Sequence, residues 1–349
     1  MKEISMPEPL EIAVELGQKC LQGNPVIVVG SGCSIPFGIP SMPQLAKELS
    51  SSLDASDLPA EDQDSLKALK AEISTTDLES ALHKVSLSDQ LISRVVQATW
   101  NYIAPADRKA LAQVIRKRDL LPLSRLFVHL FQSTHTRVSI VTPNYDRLAE
   151  YAADAAEFHH SVGFGYGYIR ARQAVASHLY TGARTTPDRT VEIWKVHGSL
   201  DWFADEDGTV VGLPMPPEDM TGLSPVIVTP GVNKYQRALE EPFRSILAGA
   251  DLTLQSAGSY FCVGYGFNDR HIQPKLIEKC NRTRTPIVVL AKTLSDAAKG
   301  FLFSGRCSNF LALEDCTDGT MMYRAGDVSG SLIPGKSLWS LNEFLNVMI

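Results

Sequence analysis

The chain predicts an α/β fold: an open, mainly parallel sheet with helices on both faces. Three features of the sequence lead there. Short β-branched apolar runs, Val26 to Val29 foremost, read as buried parallel strands. Amphipathic helical stretches separate them. Several runs also end in a turn marked by glycine or asparagine: Gly30-Ser31-Gly32-Cys33-Ser34, Thr142-Pro143-Asn144-Tyr145-Asp146, His197-Gly198 and Gly264-Tyr265-Gly266. Ligands of open parallel sheets bind beyond the carboxyl ends of the strands. All the marked segments lie at such ends.

Taken in order, Leu10 to Leu21 reads as an amphipathic helix ahead of the first strand. That strand then enters the glycine loop. Gly30 allows a tight turn, Gly32 lets backbone approach a ligand, and the following helix offers unpaired N–H groups to an anion. Residues 43–119 read as helical pieces separated by Ser, Asp and Pro breaks. They are expected to form a helical subdomain inserted into a Rossmann-like domain of residues 1–42 and 120–349. The sheet resumes with Arg137 to Thr142, with a strand ending at His197, with one ending at Gly264, and with Thr285 to Lys292 after a helix from Arg270 to Asn281. Gly163 to Gln173 and Thr181 to Thr190, rich in Gly, aromatic residues and Arg, read as a loop or hairpin over the site. The apolar terminal helix is expected to dock on its own core, with an oligomer contact as the lesser reading.

The 349 residues are 44% hydrophobic and 21% charged, ordinary for a globular protein. A formal net charge of −6 argues against general nucleic-acid affinity. No apolar run approaches the roughly 20 residues of a membrane span. The N-terminal segment lacks the basic and apolar regions of a signal peptide. Six scattered cysteines, at positions 20, 33, 262, 280, 307 and 316, fit a reducing cytoplasm. None forms a CxxC pair, so a zinc ribbon has no ligands and no metal is expected.

The marked segments, in this order, resemble the motifs of the sirtuin family of NAD-consuming enzymes. Gly30, Gly32, Ser34, Gly38, Ile39 and Pro40 match the family's first glycine motif and its Gly-Ile-Pro. Thr142 to Asp146 resembles Thr-Gln-Asn-Ile-Asp, His197-Gly198 the catalytic His-Gly, and Gly264-Tyr265-Gly266 the late glycine loop. Protein-deacylating sirtuins also carry four zinc cysteines, a Phe-Arg after Gly-Ile-Pro, and Gln where Pro143 stands. Here the cysteines are missing and Ser41-Met42-Pro43 replaces the Phe-Arg. The pattern is closer to the zinc-free sirtuin-like proteins of bacterial anti-phage systems, whose domain hydrolyses NAD.

The resemblance implies an NAD+ glycohydrolase giving ADP-ribose and nicotinamide, with NAD+ as substrate and no metal. It implies an abortive-infection effector switched on by a partner or by oligomerisation, with a homo-oligomer and a HerA-type ATPase as expected partners. Asn144 and His197 would carry catalysis, and Asp146 would sit near the nicotinamide carboxamide. Gly30, Ser31, Gly32, Cys33, Ser34, Gly264, Gly266 and Asp269 would contact NAD. A protein deacylase or ADP-ribosyltransferase, and a non-catalytic NAD- or ADP-ribose-binding assembly subunit, are the alternatives.

The chemistry of these side chains agrees with that role. Cleaving the nicotinamide–ribose bond develops an oxocarbenium-like ribose, and nicotinamide departs neutral, so the protein mainly positions and stabilises. A carboxamide can bond ribose hydroxyls or hold a water. Histidine is the side chain suited to base work near neutrality. Each residue also has a plain reading. Asn144 could cap the helix that follows, and His197 could be a core histidine. Asp269 could cap a helix, or it or Asn268 could meet the adenosine half. Cys33 has no implied base beside it, so a small residue near phosphate is favoured over a nucleophile. Arg170, Arg172 and Arg184 could clamp pyrophosphate or simply be solvated. His159 and His160 are rejected as a metal pair, because strand neighbours point to opposite faces. A dehydrogenase GxGxxG is excluded by Ile35 at the third glycine position. Elemental analysis of chelator-washed protein is expected to find no stoichiometric zinc; about one zinc per chain would overturn the reading of the cysteines.

Overall fold

The computed structural model describes residues 8–173, 188–229, 240–269 and 271–349. Its strands are β1 (Pro25–Val29), β2 (Arg137–Thr142), β3 (His159–Ser161), β4 (Arg170–Ala171), β5 (Thr190–Lys195), β6 (Gly198–Ala204), β7 (Val210–Gly212), β8 (Ser224–Ile227), β9 (Ser259–Val263), β10 (Ile287–Ala291), β11 (Phe310–Cys316), β12 (Gly319–Arg324) and β13 (Asp327–Pro334). Its helices are α1 (Pro9–Gln22), α2 (Met42–Ser52), α3 (Ala60–Ile73), α4 (Leu78–Lys84), α5 (Asp89–Arg116), α6 (Pro122–Leu130), α7 (Leu148–Ala155), α8 (Phe243–Ser256), α9 (Gln273–Thr283), α10 (Asp296–Leu302) and α11 (Leu341–Met348).

All five residues of β1 are buried. Its alternation sends Ile27 and Val29 into one core and Val26 and Val28 into the other. The first core packs under α1, α5, α6, α7 and α11, the second under α8, α9 and α10. That two-sided burial explains the unbroken apolar run that marks a parallel strand in sequence. The main sheet has the order β13-β12-β11-β10-β9-β1-β2-β5-β3. It is parallel from β3 through β11, with Ile27 opposite both Ile140 and Phe261. The hairpin β12–β13 is added antiparallel at one edge. The chain runs outward from β1 through β2, then returns to β9 on its other side. The reversal places a crevice at the carboxyl end of β1.

Helices α2 to α6 lie between β1 and β2. The longest, α5, spans 28 residues, roughly 42 Å at the helical rise. It is tied to the rest of the molecule through polar groups. Trp100 Nε1 donates to the Leu200 carbonyl at 2.8 Å. Asp107, with no exposure, accepts from Arg147 Nη2 at 2.7 Å and from Tyr151 Oη at 2.6 Å. The terminal helix α11 docks on the molecule's own core, with Phe344 and Leu345 fully buried. Gly17 of α1 receives it, since a Cβ there would lie 2.9 Å from Phe344 and Met348. A second, antiparallel sheet has the order β4-β7-β6-β8, and its strand β6 begins immediately after His197. Of the two segments expected as a loop or hairpin, Gly163 to Gln173 supplies β4 of this sheet, and 181–187 of the other lie outside the described residues. Among the described residues no helix is long and apolar enough to cross a membrane.

The loops after β1 and β9 interlock. The Gly30 N–H donates to the Val263 carbonyl at 3.0 Å, and the Gly32 N–H to Gly264 at 3.1 Å. A Cβ on Gly32 would sit 2.9 Å from Gly264 Cα, and one on Gly264 would sit 2.2 Å from the Cys33 nitrogen. Gly264 also has φ +59°, which disfavours a side chain further. The space that a side chain at Gly32 would need is thus taken by the neighbouring loop's backbone. Gly32→Val is therefore expected to destabilise the fold itself by about 1–3 kcal/mol or more, the range of overpacking. Urea melts matching those of the unaltered protein would refute the interlock.

Candidate active site

The ends of β1, β2, β5 and β9 meet around a cavity of about 210 Å³. That is below the about 300–1,000 Å³ usual for whole ligands, so it suits one end of a dinucleotide. Gly30, Ser31, Asn144, Asp146, His197, Gly266 and Asp269 line it. Gly32, Cys33, Ser34 and Gly264 do not; they form the layer beneath or the loop interlock.

Asn144 is set by the end of β2. Thr142 Oγ1 donates to the Val29 carbonyl at 2.8 Å and accepts the Asn144 N–H at 3.1 Å, so the ends of β1 and β2 are tied together. The Asn144 side-chain Nδ2 donates to Ser34 Oγ at 3.1 Å. The Ser34 hydroxyl also helps to hold the Asp146 carboxyl in its charged form. Ser34 is 1% exposed, and its hydroxyl accepts from Asn144. Asn144 is not the helix cap. Helix α7 starts at Leu148, whose N–H is accepted by Asp146 Oδ1 at 3.2 Å.

Burial pushes the Asp146 carboxyl up to about 6, and Asp107 adds to the shift, while Lys195, the Ser34 hydroxyl and the Leu148 N–H oppose it. Burial likewise pushes the half-covered Cys33 thiol up to about 12, with Asp146 adding to the shift. At neutral pH Cys33 is a thiol, which agrees with rejecting it as a nucleophile.

His197 follows β5 at a turn where Gly198 has φ +87°. A Cβ on Gly198 would sit 2.2 Å from the Val226 carbonyl, so the small second sheet presses on this turn. The His197 Nε2 lies 2.9 Å from Asp269 Oδ2, and its ring meets His271 edge-on at 5.8 Å. It is therefore not a core histidine held by backbone. Asp269 Oδ1 accepts from the His271 and Ile272 N–H groups at 2.8 and 3.1 Å. Asp269 thus holds the turn ahead of α9 rather than capping the helix, whose N-cap is Ile272, and is also the neighbour of His197.

Other candidates fall away from the cavity. Arg170 bonds the Gly167 carbonyl and lies 3.7 Å from Asp201. Arg172 bonds Gly163, Gln173 and Ser245. Arg184 lies outside the described residues. His160 pairs with Asp154 and His159 with Asp188. Tyr145 does line the cavity, but its hydroxyl is engaged, donating to the Val228 carbonyl at 2.7 Å. Sequence reasoning missed the wall supplied by the helices between β1 and β2, namely Leu45, Ile103 and Glu79. It also missed Tyr265, whose buried hydroxyl has no hydrogen-bond partner among the described residues. No local pattern around Glu79 marks it, because it reaches the cavity only through the packing of α4. Among the described lining residues the charged groups are Glu79, Asp146 and Asp269, with no Lys or Arg.

The raised pKa of Asp146 has a consequence for stability. The carboxyl binds its proton more tightly folded, at about 6, than at its ordinary value of 3.8. The cost of its charge is thus absent below about 4 and complete above about 6. Asp146→Asn, which retains an acceptor for the Leu148 N–H, is expected to be more stable than the parent at pH 7.5, by up to about 3 kcal/mol. The gain should shrink as pH falls from 6 to 4, as read from thermal melts across that range. A gain that grows on acidification would contradict the assignment.

Residues 138–296 match the SIR2-like domain family. The matched stretch holds Asn144, His197 and the Gly264 to Asp269 loop. No curated protein matches the chain. Among solved structures, one described for the mechanism and regulation of Sir2 enzymes is 13% identical, covers 83% of this chain and 90% of its own, and has a TM-score of 0.42. A Sir2 protein bound to a propionylated peptide is 14% identical, with 81% and 88% covered and a TM-score of 0.42. A complex of a Sir2 homologue with NAD is 12% identical, with 85% and 87% covered and a TM-score of 0.41.

Proposed function

We propose that this chain is an NAD+ glycohydrolase, cleaving the nicotinamide–ribose bond with water to give ADP-ribose and nicotinamide. The observation that carries the reading is the convergence of Asn144 and His197, from the ends of β2 and β5, on one cavity beside the glycine loops. The match of residues 138–296 to the SIR2-like domain family supports it.

The charge of the cavity is consistent with this substrate. Asp146 at the end of β2 favours a cationic pyridinium ring, the part of NAD+ that must be bound and released. The pyrophosphate is left to the exposed turn at Ser31, which lines the cavity. In the reaction the C1′–N bond breaks, nicotinamide leaves with the bonding pair, and water attacks C1′. Asn144 orients the ribose and the water. His197 accepts the proton of the attacking oxygen and passes it to solvent. The anti-phage setting, activation by self-assembly or a partner, and a HerA-type ATPase as that partner belong to the same proposal, on the strength of the motif resemblance.

Purified protein incubated with NAD+, alone and with candidate activators, is expected to release nicotinamide and ADP-ribose in equal amounts, followed by chromatography. Asn144→Ala and His197→Ala should each lower the rate by about 10²-fold or more. Their melting temperatures should stay within about 2–4 °C of the parent. Full activity in either folded variant would overturn its role, and intact NAD+ under every condition would overturn the function.

A further inference from the structure

His197 has a built partner. The side chains of His197 and Asp269 are 10% and 7% exposed, with Nε2 and Oδ2 2.9 Å apart. Asp269 is itself held, because its Oδ1 accepts two backbone N–H groups, of His271 and Ile272. Turning the carboxylate away would break both bonds. Oδ2 is thereby fixed against the imidazole. At this distance the two atoms are not aligned for a hydrogen bond, and Nε2 has no other hydrogen-bond partner among the described residues; catalytic contacts often align only when substrate tightens them.

A carboxylate only accepts, and a neutral imidazole carries one N–H and one lone pair. Beside Asp269 the hydrogen belongs on Nε2, which leaves the lone pair on Nδ1. We infer that Asp269 is the positioning residue for His197, holding it in the Nε2–H tautomer so that Nδ1 is the proton acceptor of NAD+ cleavage. This rests on the reading of His197 as the base. As water attacks C1′, its proton goes to Nδ1 and the C1′–N pair leaves with nicotinamide. The imidazolium formed is stabilised by Asp269, which stays ionised, and Nδ1 then returns the proton to solvent. Asp269 thus acts through His197, in place of the adenosine contact that was one sequence-based expectation.

The test is Asp269→Asn. The amide oxygen can still accept from His271 and Ile272, so the turn is kept. The amide nitrogen now donates toward Nε2, which forces the hydrogen onto Nδ1. Nitrogen NMR of histidine-labelled protein, with the His197 signal identified by its loss in His197→Asn, should report Nε2–H in the parent and Nδ1–H in Asp269→Asn. The kcat for NAD+ should fall by about 10²-fold, within the span of general-base effects, with KM little changed. A residue that only capped the turn would move neither the tautomer nor kcat selectively. An Nδ1–H tautomer in the parent protein overturns the inference even if the variant does not fold. So does wild-type kcat in a folded variant. The tautomer is read without turnover, so a protein that left NAD+ intact would refute the function while the pairing was still judged by NMR.

Discussion

The close approach of the loops after β1 and β9 is the constraint on which the site depends. Two backbone hydrogen bonds join Gly30 and Gly32 to Val263 and Gly264. The separation is so small that neither Gly32 nor Gly264 has room for a Cβ. Side chains at this point would push β1 and β9 apart at their carboxyl ends. The cavity would then lose its floor, and Ser31 and Gly266 would no longer share one wall.

A second set of constraints is ionic and lies one layer deeper. Lys195, at the end of β5, is 1% exposed; its Nζ is 3.1 Å from Glu150 and donates to the Asp146 carbonyl. Asp107 on α5 receives Arg147 and Tyr151 from the start of α7. Buried pairs of this kind return little net stability once desolvation is counted, but removing one partner strands the other. Their effect here is positional. They fix α7 and the Asn144–Asp146 turn against β5 and against the helices between β1 and β2.

The cavity separates its electrostatic tasks. Carboxylates from α4, from the turn after β2 and from the loop after β9 line it, while the N–H groups of Gly30 and Gly32 close the loop interlock. Asp146 carries a cost for its charge, since burial raises its pKa to about 6. The cost of its charge resembles the stored strain common at functional sites, maintained by the rigid strands around it.

The sequence by itself determined the parallel sheet, its strand ends and the standing of Asn144 and His197 just beyond two of them. Those features are local. A buried parallel strand needs a continuous apolar run, as in Val26 to Val29, and the chain must turn where the run stops, so glycine, asparagine and proline mark the place. Tertiary structure decided what fills the space between the turns. The space that a side chain at Gly32 would need is taken by Gly264, more than two hundred residues away in the chain. The Ser34 hydroxyl accepts from Asn144, at the end of another strand. The second sheet consists of short strands whose pairing is set by distant neighbours, so periodicity alone does not announce it. Glu79 and the pairing of Asp269 with His197 arise from contacts between elements far apart in sequence, and such contacts depend on packing geometry that no local pattern encodes.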